Sequence, residues 1–316
     1  MRAGGVAVSW PVEQPAPDPR RGYLFALLSM VVSGVAIYVN AAAVKGFPDS
    51  TLYTALKNGV AGLALLLPLA VSPARRQELR HLSRRQLVLL SVVALIGGSI
   101  PYALYFRGLQ LSTPVTASVI DHAQFLLVAI AALAFLRERL GPGVWVSLAV
   151  LFVGLSAGLA ADAVSLDAGV PYLAAGTALF AADFVLMKYL LRGVPPYVVM
   201  LFKLTLGSAL LLAFVAATGR MGIVGALTLL QWGYVAVTGL VLLAFTAASV
   251  AGLRHASATA VTAIPAGSPL VTTLLVVVGR GGVLSPLRLV GLLLVLVALV
   301  AVFILGQRRE ARTRTA

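Results

Sequence analysis

Five ionisable residues lie inside stretches of the sequence that are otherwise apolar, and their types could do chemistry there. The stretch SVIDHAQFLL (118–127) places an acid beside a histidine, and the complete set is Lys57, Asp121, His122, Asp183 and Lys203. A charge in the hydrocarbon of a membrane is costly unless it is paired, protonated or facing water. Such residues can bind a proton, form a buried ion pair or contact a charged ligand.

The depth of these residues relates them in pairs. At a rise of about 1.5 Å per residue, Lys57 and Asp121 both lie roughly 10 Å from one membrane surface. Asp183 and Lys203 lie about 10–12 Å from the other surface, in neighbouring antiparallel helices, and are predicted to meet. His122 points roughly 100° away from Asp121 on a helix and need not face the same cavity. Structural roles stay open, because lysine stems can reach the interface and Asp121 could be only a buried partner.

The composition predicts the element class that must position these residues. The chain has 316 residues, of which 60% are hydrophobic and 11% charged. Soluble domains are about 45–50% apolar and about 25% charged, so we expect a polytopic membrane protein. The absence of cysteine excludes disulfides and thiolate metal sites. No HExxH or paired acidic motif occurs, so we expect no metal, no cofactor and no catalytic site.

Ten apolar segments are long enough to span a bilayer, since a spanning helix needs roughly 20 residues. They are 22–44, 50–71, 87–108, 114–137, 143–161, 170–191, 196–217, 230–253, 258–279 and 286–306. Residues 1–21 are rich in proline and are predicted to be a disordered tail, and residues 307–316 a basic tail. Two sites inside the spans, Ser99-Ile100-Pro101 and Pro265, are predicted kinks or gates.

The positive charge of +14 reflects orientation and not nucleic-acid binding. With the N-terminus inside, most of the 24 lysines and arginines fall on the inner side, as the positive-inside rule requires. We therefore expect both termini in the cytoplasm and the protein in the plasma (bacterial inner) membrane.

The two halves of the chain repeat one pattern. YLFALLSMVVSGVAIYVNAAAVKG (23–46) matches YLAAGTALFAADFVLMKYLLRG (172–193), and KNGVAGLALLLPLA (57–70) matches KLTLGSALLLAFVA (203–216). Five helices per half is an odd number, so the second repeat (170–306) must be inverted relative to the first (22–161). Inverted repeats are common in secondary transporters, with the substrate site at their interface.

The stretches YALYFRGLQLSTPVTASVI and FLRERLGPGVWVSLAVLFVGLSAGL resemble EamA-type transporters of the drug/metabolite transporter superfamily. Glu138 and Gly154 stand where that family's pattern has them, and Gly154 forms a GxxxG spacing with Gly158. The resemblance implies an all-α membrane protein with ten transmembrane helices as two inverted five-helix EamA repeats. It also implies export of small metabolites such as amino acids or drug-like molecules. This sequence departs from the pattern at Gly282, which replaces the second glutamate, and at Asp121, which replaces the helix-four proline.

Further polar residues on the predicted inner faces could hydrogen-bond a substrate carboxyl or amine. They are Asn40, Tyr38, Tyr102, Tyr105, Gln124 and Ser268. Such residues in a helix bundle are often contacts between helices, and that alternative stays open.

The leading interpretation is a secondary transporter that alternates access, driven by its substrate gradient or by coupled protons at Asp121, His122 or Asp183. The expected partners are a small-molecule substrate and the lipid bilayer, with the chain a monomer or homodimer. Two lysines balanced by two acids favour a zwitterionic or neutral substrate. The alternatives are a carrier of sugar phosphates or nucleotide sugars, for which both lysines have the right charge, and a non-transporting membrane scaffold.

Overall fold

The computed structural model describes residues 17–44, 46–112, 114–157, 167–280 and 284–315. In these ranges every regular element is a helix. Most of the predicted N-terminal tail, Gly158 and Gly282 lie outside them.

The first half contains eight α-helices. They are α1 (Pro19–Val44), α2 (Ser50–Val71), α3 (Pro73–Arg80), α4 (Arg84–Gly98), α5 (Ile100–Leu111), α6 (Pro114–His122), α7 (Gln124–Ala131) and α8 (Pro142–Ala157). A π-helix (Ala132–Leu136) continues α7.

The second half contains seven α-helices. They are α9 (Val170–Leu190), α10 (Pro196–Leu201), α11 (Gly207–Ala217), α12 (Leu229–His255), α13 (Ala258–Ala263), α14 (Ser268–Arg280) and α15 (Pro286–Thr315). A π-helix (Phe202–Leu206) joins α10 to α11, and short 3-10 helices cover Met221–Ala226 and Pro265–Gly267.

Side-chain caps and prolines set where many of these helices begin. Asp49 accepts a hydrogen bond from the Leu52 N–H at the start of α2. Ser83 and Thr228 form capping boxes at the starts of α4 and α12. Proline is the first residue of α3, α6, α8, α10 and α15, a position where its missing N–H costs nothing.

Nine helical segments of the described chain are long and apolar enough to cross a membrane, and α8 is a shorter apolar helix. This confirms the predicted all-α membrane class with two repeats. α15 runs past the predicted end at 306 to Thr315. The sequence after Gly306 (QRREARTRT) contains mostly good helix formers and no proline, so nothing stops the helix there.

Helix breaks divide three of the spans. The predicted breaks at Ser99 and Pro265 are both present, since α4 ends at Gly98 and α13 ends at Ala263. A third break, at Ala123, separates α6 from α7 and was not expected from the sequence. At the repeat offset of 144, residues 121–123 correspond to Pro265–Gly267, so the first half breaks at the equivalent place without a proline.

Small residues let the helices approach closely at the centre. A Cβ on Gly98 would lie 2.7 Å from the Gly207 Cα, so α4 and α11 cross with their backbones in contact. Many leucines and valines of α15 remain exposed, among them Leu293 and Val297, as expected for a surface that faces lipid.

Candidate functional site

Two adjoining cavities lie between the halves, and six residues line both: Ser33, Ile37, Tyr102, Asp121, Phe180 and Phe245. One cavity, of about 350 Å³, contains Lys57 and is called the Lys57 chamber. The other, of about 330 Å³, contains Lys203 and is called the Lys203 chamber. Asp121 therefore lies where the two chambers meet.

In the Lys57 chamber, α1 and α2 hold the lysine beside an amide. The Lys57 Nζ donates to Asn40 Oδ1 at 3.3 Å, and the Tyr53 hydroxyl lies 2.6 Å from the same oxygen. Lys57 also lies 5.3 Å from the centre of the Tyr53 ring. Within the described residues, no carboxylate lies within 4.0 Å of Lys57. Lys57 and Asp121 share this chamber, as predicted, without forming a direct ion pair.

In the Lys203 chamber, the predicted pairing of Asp183 with Lys203 is present. The Lys203 ammonium donates to Asp183 Oδ2, and the side chains are 12% and 0% exposed respectively. The other carboxylate oxygen, Asp183 Oδ1, is buried and has no hydrogen-bond partner in the described structure. The Lys203 ammonium also lies 5.6 Å from the Phe184 ring centre.

The backbone makes room for this buried pair. Lys203 is the second residue of the π-helix Phe202–Leu206, which was not expected from the sequence. Opposite it, a side chain on Gly97 would overlap the Asp183 carboxylate, so only glycine fits this position of α4. The ion pair therefore depends on a local irregularity on one side and on a missing side chain on the other.

The two central helix breaks bring helix ends to the Lys203 chamber. α6 ends at His122, α7 begins at Gln124 and α14 begins at Ser268, and all three residues line this chamber. The His122 Nδ1 atom is buried and has no hydrogen-bond partner in the described structure. Broken helices whose ends meet at a cavity are the usual substrate sites of transporters built from inverted repeats.

The other predicted polar residues are placed differently. Tyr102 lines both chambers, and Tyr105 lines the Lys57 chamber. Tyr38 lines neither; its hydroxyl would lie 3.1 Å from a Cβ on Gly279, so it faces α14.

Several lining residues were not predicted as site residues. They are Ser33, Phe180, Phe184, Thr238, Phe245, Thr246 and Ser249. In the sequence they look like ordinary membrane-helix residues, because small hydroxyl and aromatic side chains also occur where helices pack. Only the fold distinguishes the two roles.

A second polar cluster lies at the junction of α12 and α13, here called the corner (residues 253–259). Glu138 accepts hydrogen bonds from the Ala258 N–H at 2.7 Å and from the Thr259 hydroxyl at 3.1 Å. Lys188 donates to the carbonyls of Leu253 at 2.5 Å and Ala256 at 2.6 Å. Burial raises the pKa of the Glu138 carboxyl, and the Ala258 N–H, Lys188 and Thr259 partly offset this rise.

Comparisons with known proteins agree with this architecture. The sequence model of the EamA-like transporter family matches residues 20–157 and 167–304. No curated protein matches the chain significantly. A solved structure titled "Crystal structure of protein" is similar at a TM-score of 0.73 and 20% sequence identity, over 92% of this chain and 98% of that one. At that identity the likeness concerns the fold alone.

Proposed function

Since this chain belongs to the EamA-like transporter family, and so is a membrane transporter of the drug/metabolite transporter superfamily, we propose that it exports small metabolites by alternating access. The observation that carries this proposal is the pair of chambers between the two halves. Their volumes, about 350 and 330 Å³, are in the range of small-molecule sites, which measure about 300–1,000 Å³.

The charges around the chambers favour a zwitterionic or neutral substrate, such as an amino acid or a drug-like molecule. Lys203 is already neutralised by Asp183, which leaves Lys57 and Asp121 as the charges available to a ligand. Phe180 and Phe245 line both chambers and offer an apolar surface to the rest of the molecule. A ligand with one group of each charge would complement Lys57 and Asp121 together.

Asp121 is also the residue we propose for proton coupling. It lies where the chambers meet, and in the described part of the chain no lysine, arginine or histidine side chain lies within 4.0 Å of it. An acid that faces a water-filled cavity inside a membrane can gain and lose a proton as the cavity changes sides.

A carrier of anionic substrates is the second candidate. Lys57 has an amide and a tyrosine ring as neighbours and no carboxylate within ion-pair distance among the described residues. That arrangement leaves its charge available for a phosphate or carboxylate of the substrate.

The test is a resistance screen followed by flux measurements. Cells that overproduce the protein are challenged with toxic amounts of amino acids and drug-like compounds, and each hit is then measured in proteoliposomes. We expect resistance and flux with the unaltered protein and with Glu78→Gln, a control on α3 outside both chambers, and loss of both with Asp121→Asn.

Other outcomes decide between the alternatives. Flux of sugar phosphates or nucleotide sugars, with none of zwitterions, would replace the first candidate by the second. Purified protein that carries none of the compounds tested, including those anions, would favour a non-transporting scaffold.

A further inference from the structure

The two central half-helices, α6 and α13, correspond to each other in the repeats but differ in their surroundings. All six residues of α13 are buried. In α6, by contrast, the five residues from Ser118 to His122 are partly exposed. Equivalent elements of an inverted repeat that differ in burial are expected when a chamber is closed at one end and open at the other. We therefore take α13 as the element that closes the Lys203 chamber at its end of the protein.

α13 connects the corner directly to that chamber. It starts at Ala258, and Val261, Thr262 and Pro265, at or just beyond its other end, line the Lys203 chamber. Six residues of helix span about 9 Å. Any displacement of the corner would therefore move the chamber wall with it.

The corner is held by residues of both halves. From the first half, Glu138 accepts from the N–H groups at the start of α13, which have no partners within the helix. Also from the first half, the backbone of α1 lies so close that a Cβ on Gly22 would be 2.6 Å from the Ala256 nitrogen. From the second half, Lys188 binds the carbonyls at the end of α12. A carboxylate at a helix start and an ammonium at a helix end are each in the favourable orientation for the helix dipole.

The equivalent position in the other repeat cannot provide such a contact. At the repeat offset of 144, Glu138 corresponds to Gly282, which has no side chain. The carboxylate is thus available to the closure formed by α13, and the closure formed by α6 has none from this position.

We propose that Glu138 and Lys188 form a latch that holds α13 closed, so that the protein without substrate rests with its chamber open at the opposite end. Glu138 and Lys188 are positioning residues, since they act on the chamber through α13 and contact no substrate. The proposal rests on the proposed transport function and adds a resting state to it. With the termini in the cytoplasm, the latched end faces the cytoplasm and the resting chamber faces outward.

The chain contains no cysteine, so a single introduced thiol reports access to the chamber without a background. Ala266 is the suitable site, because it is partly exposed and lines the Lys203 chamber. Ala266→Cys is labelled with a small membrane-impermeant methanethiosulfonate in right-side-out and in inside-out vesicles, without substrate. We expect faster labelling from the outside while Glu138 is intact.

Adding Glu138→Ala should raise the ratio of inside to outside labelling rates by about tenfold or more. The expected size follows from one lost charge-assisted hydrogen bond, which is worth about a factor of ten in an equilibrium constant. Glu138→Gln, which keeps one accepting oxygen, should shift the ratio less, and Lys188→Met should shift it in the same direction. Glu78→Ala is the matched control, because that acid pairs with Arg75 at the same end of the protein and does not contact α13.

The outcomes separate the latch from the transport function. One-sided labelling that neither Glu138→Gln nor Lys188→Met changes, in protein that melts normally, overturns the latch alone. Labelling that is absent, or equal from both sides, while Glu138 is intact overturns both the latch and alternating access. Glu78→Ala shifting the ratio as much as Glu138→Ala would show that any lost acid at this end has the effect, and so also overturns the latch.

Discussion

Replacing Lys203 by methionine tests whether the buried pair with Asp183 is an essential part of the fold. Methionine has a similar length and no charge, so the change leaves a carboxylate that is 0% exposed without its partner. Breaking a buried pair by removing one member typically costs about 3–5 kcal/mol. The carboxylate can escape by taking up a proton, and neutralising an ordinary aspartic acid at pH 7 costs about 4 kcal/mol. Both routes predict a similar loss of stability.

The same reasoning predicts how that loss depends on pH. Protonating an aspartic acid becomes cheaper as the pH falls, and at pH 5 it costs only about 1.5 kcal/mol. The difference in stability between Lys203→Met and the unaltered protein should therefore shrink between pH 7 and pH 5. The double variant Lys203→Met with Asp183→Asn has no carboxylate left, so it should recover most of the stability and lose the pH dependence.

The assay is the melting temperature of purified protein in detergent at pH 7 and pH 5. Lys57→Met is the matched control, because Lys57 contacts the Asn40 amide and has no carboxylate within 4.0 Å in the described part of the chain. If Lys203→Met melts like Lys57→Met at pH 7, or if its loss is the same at pH 5, the pair does not carry the stability assigned to it here.

Three further predictions follow from the geometry. Asp121→Asn should impair flux in proteoliposomes and leave the melting temperature close to normal, because Asp121 has no ion pair to lose among the described residues; unchanged flux would remove it from the site. Gly97→Ala should destabilise the protein by about 1–3 kcal/mol, because the added methyl overlaps the Asp183 carboxylate, and unaltered melting would contradict that crowding. A single cysteine at Ser83 should react with an impermeant maleimide only from the cytoplasmic side, and labelling from outside would reverse the proposed orientation.

The membrane fold could be predicted from the sequence because its signals are local. Apolar runs of spanning length, prolines at helix starts and the excess of arginine in alternate loops each act over about one helix. The breaks at Ser99 and Pro265 were also predictable, since proline cannot continue the hydrogen bonds of a helix. The break at Ala123 was not, because Asp121, His122 and Ala123 are all compatible with a helix and only tertiary contacts interrupt it there.

The candidate site could be predicted in its charges but not in its walls. The pairing of Asp183 with Lys203 follows from depth alone, because the two lie on neighbouring antiparallel helices. Glu138 was recognised by its place in a family pattern, and its hydrogen bonds to the corner depend on two helices that are distant in sequence. The aromatic and hydroxyl residues of the chambers carry no signal that separates a cavity wall from a helix contact.

The π-helix at Lys203 has a consequence for how the two repeats diverged. A π segment accommodates one residue more per turn than an α-helix, so it is the structural mark of a single-residue insertion. The equivalent helix of the first repeat, α2, runs from Ser50 to Val71 without such a segment. Deleting one residue between 204 and 206 should restore a regular α-helix and rotate α11 by about 100° relative to α10. That rotation would turn Gly207 away from Gly98, so the crossing of α4 and α11 now depends on the inserted residue being kept.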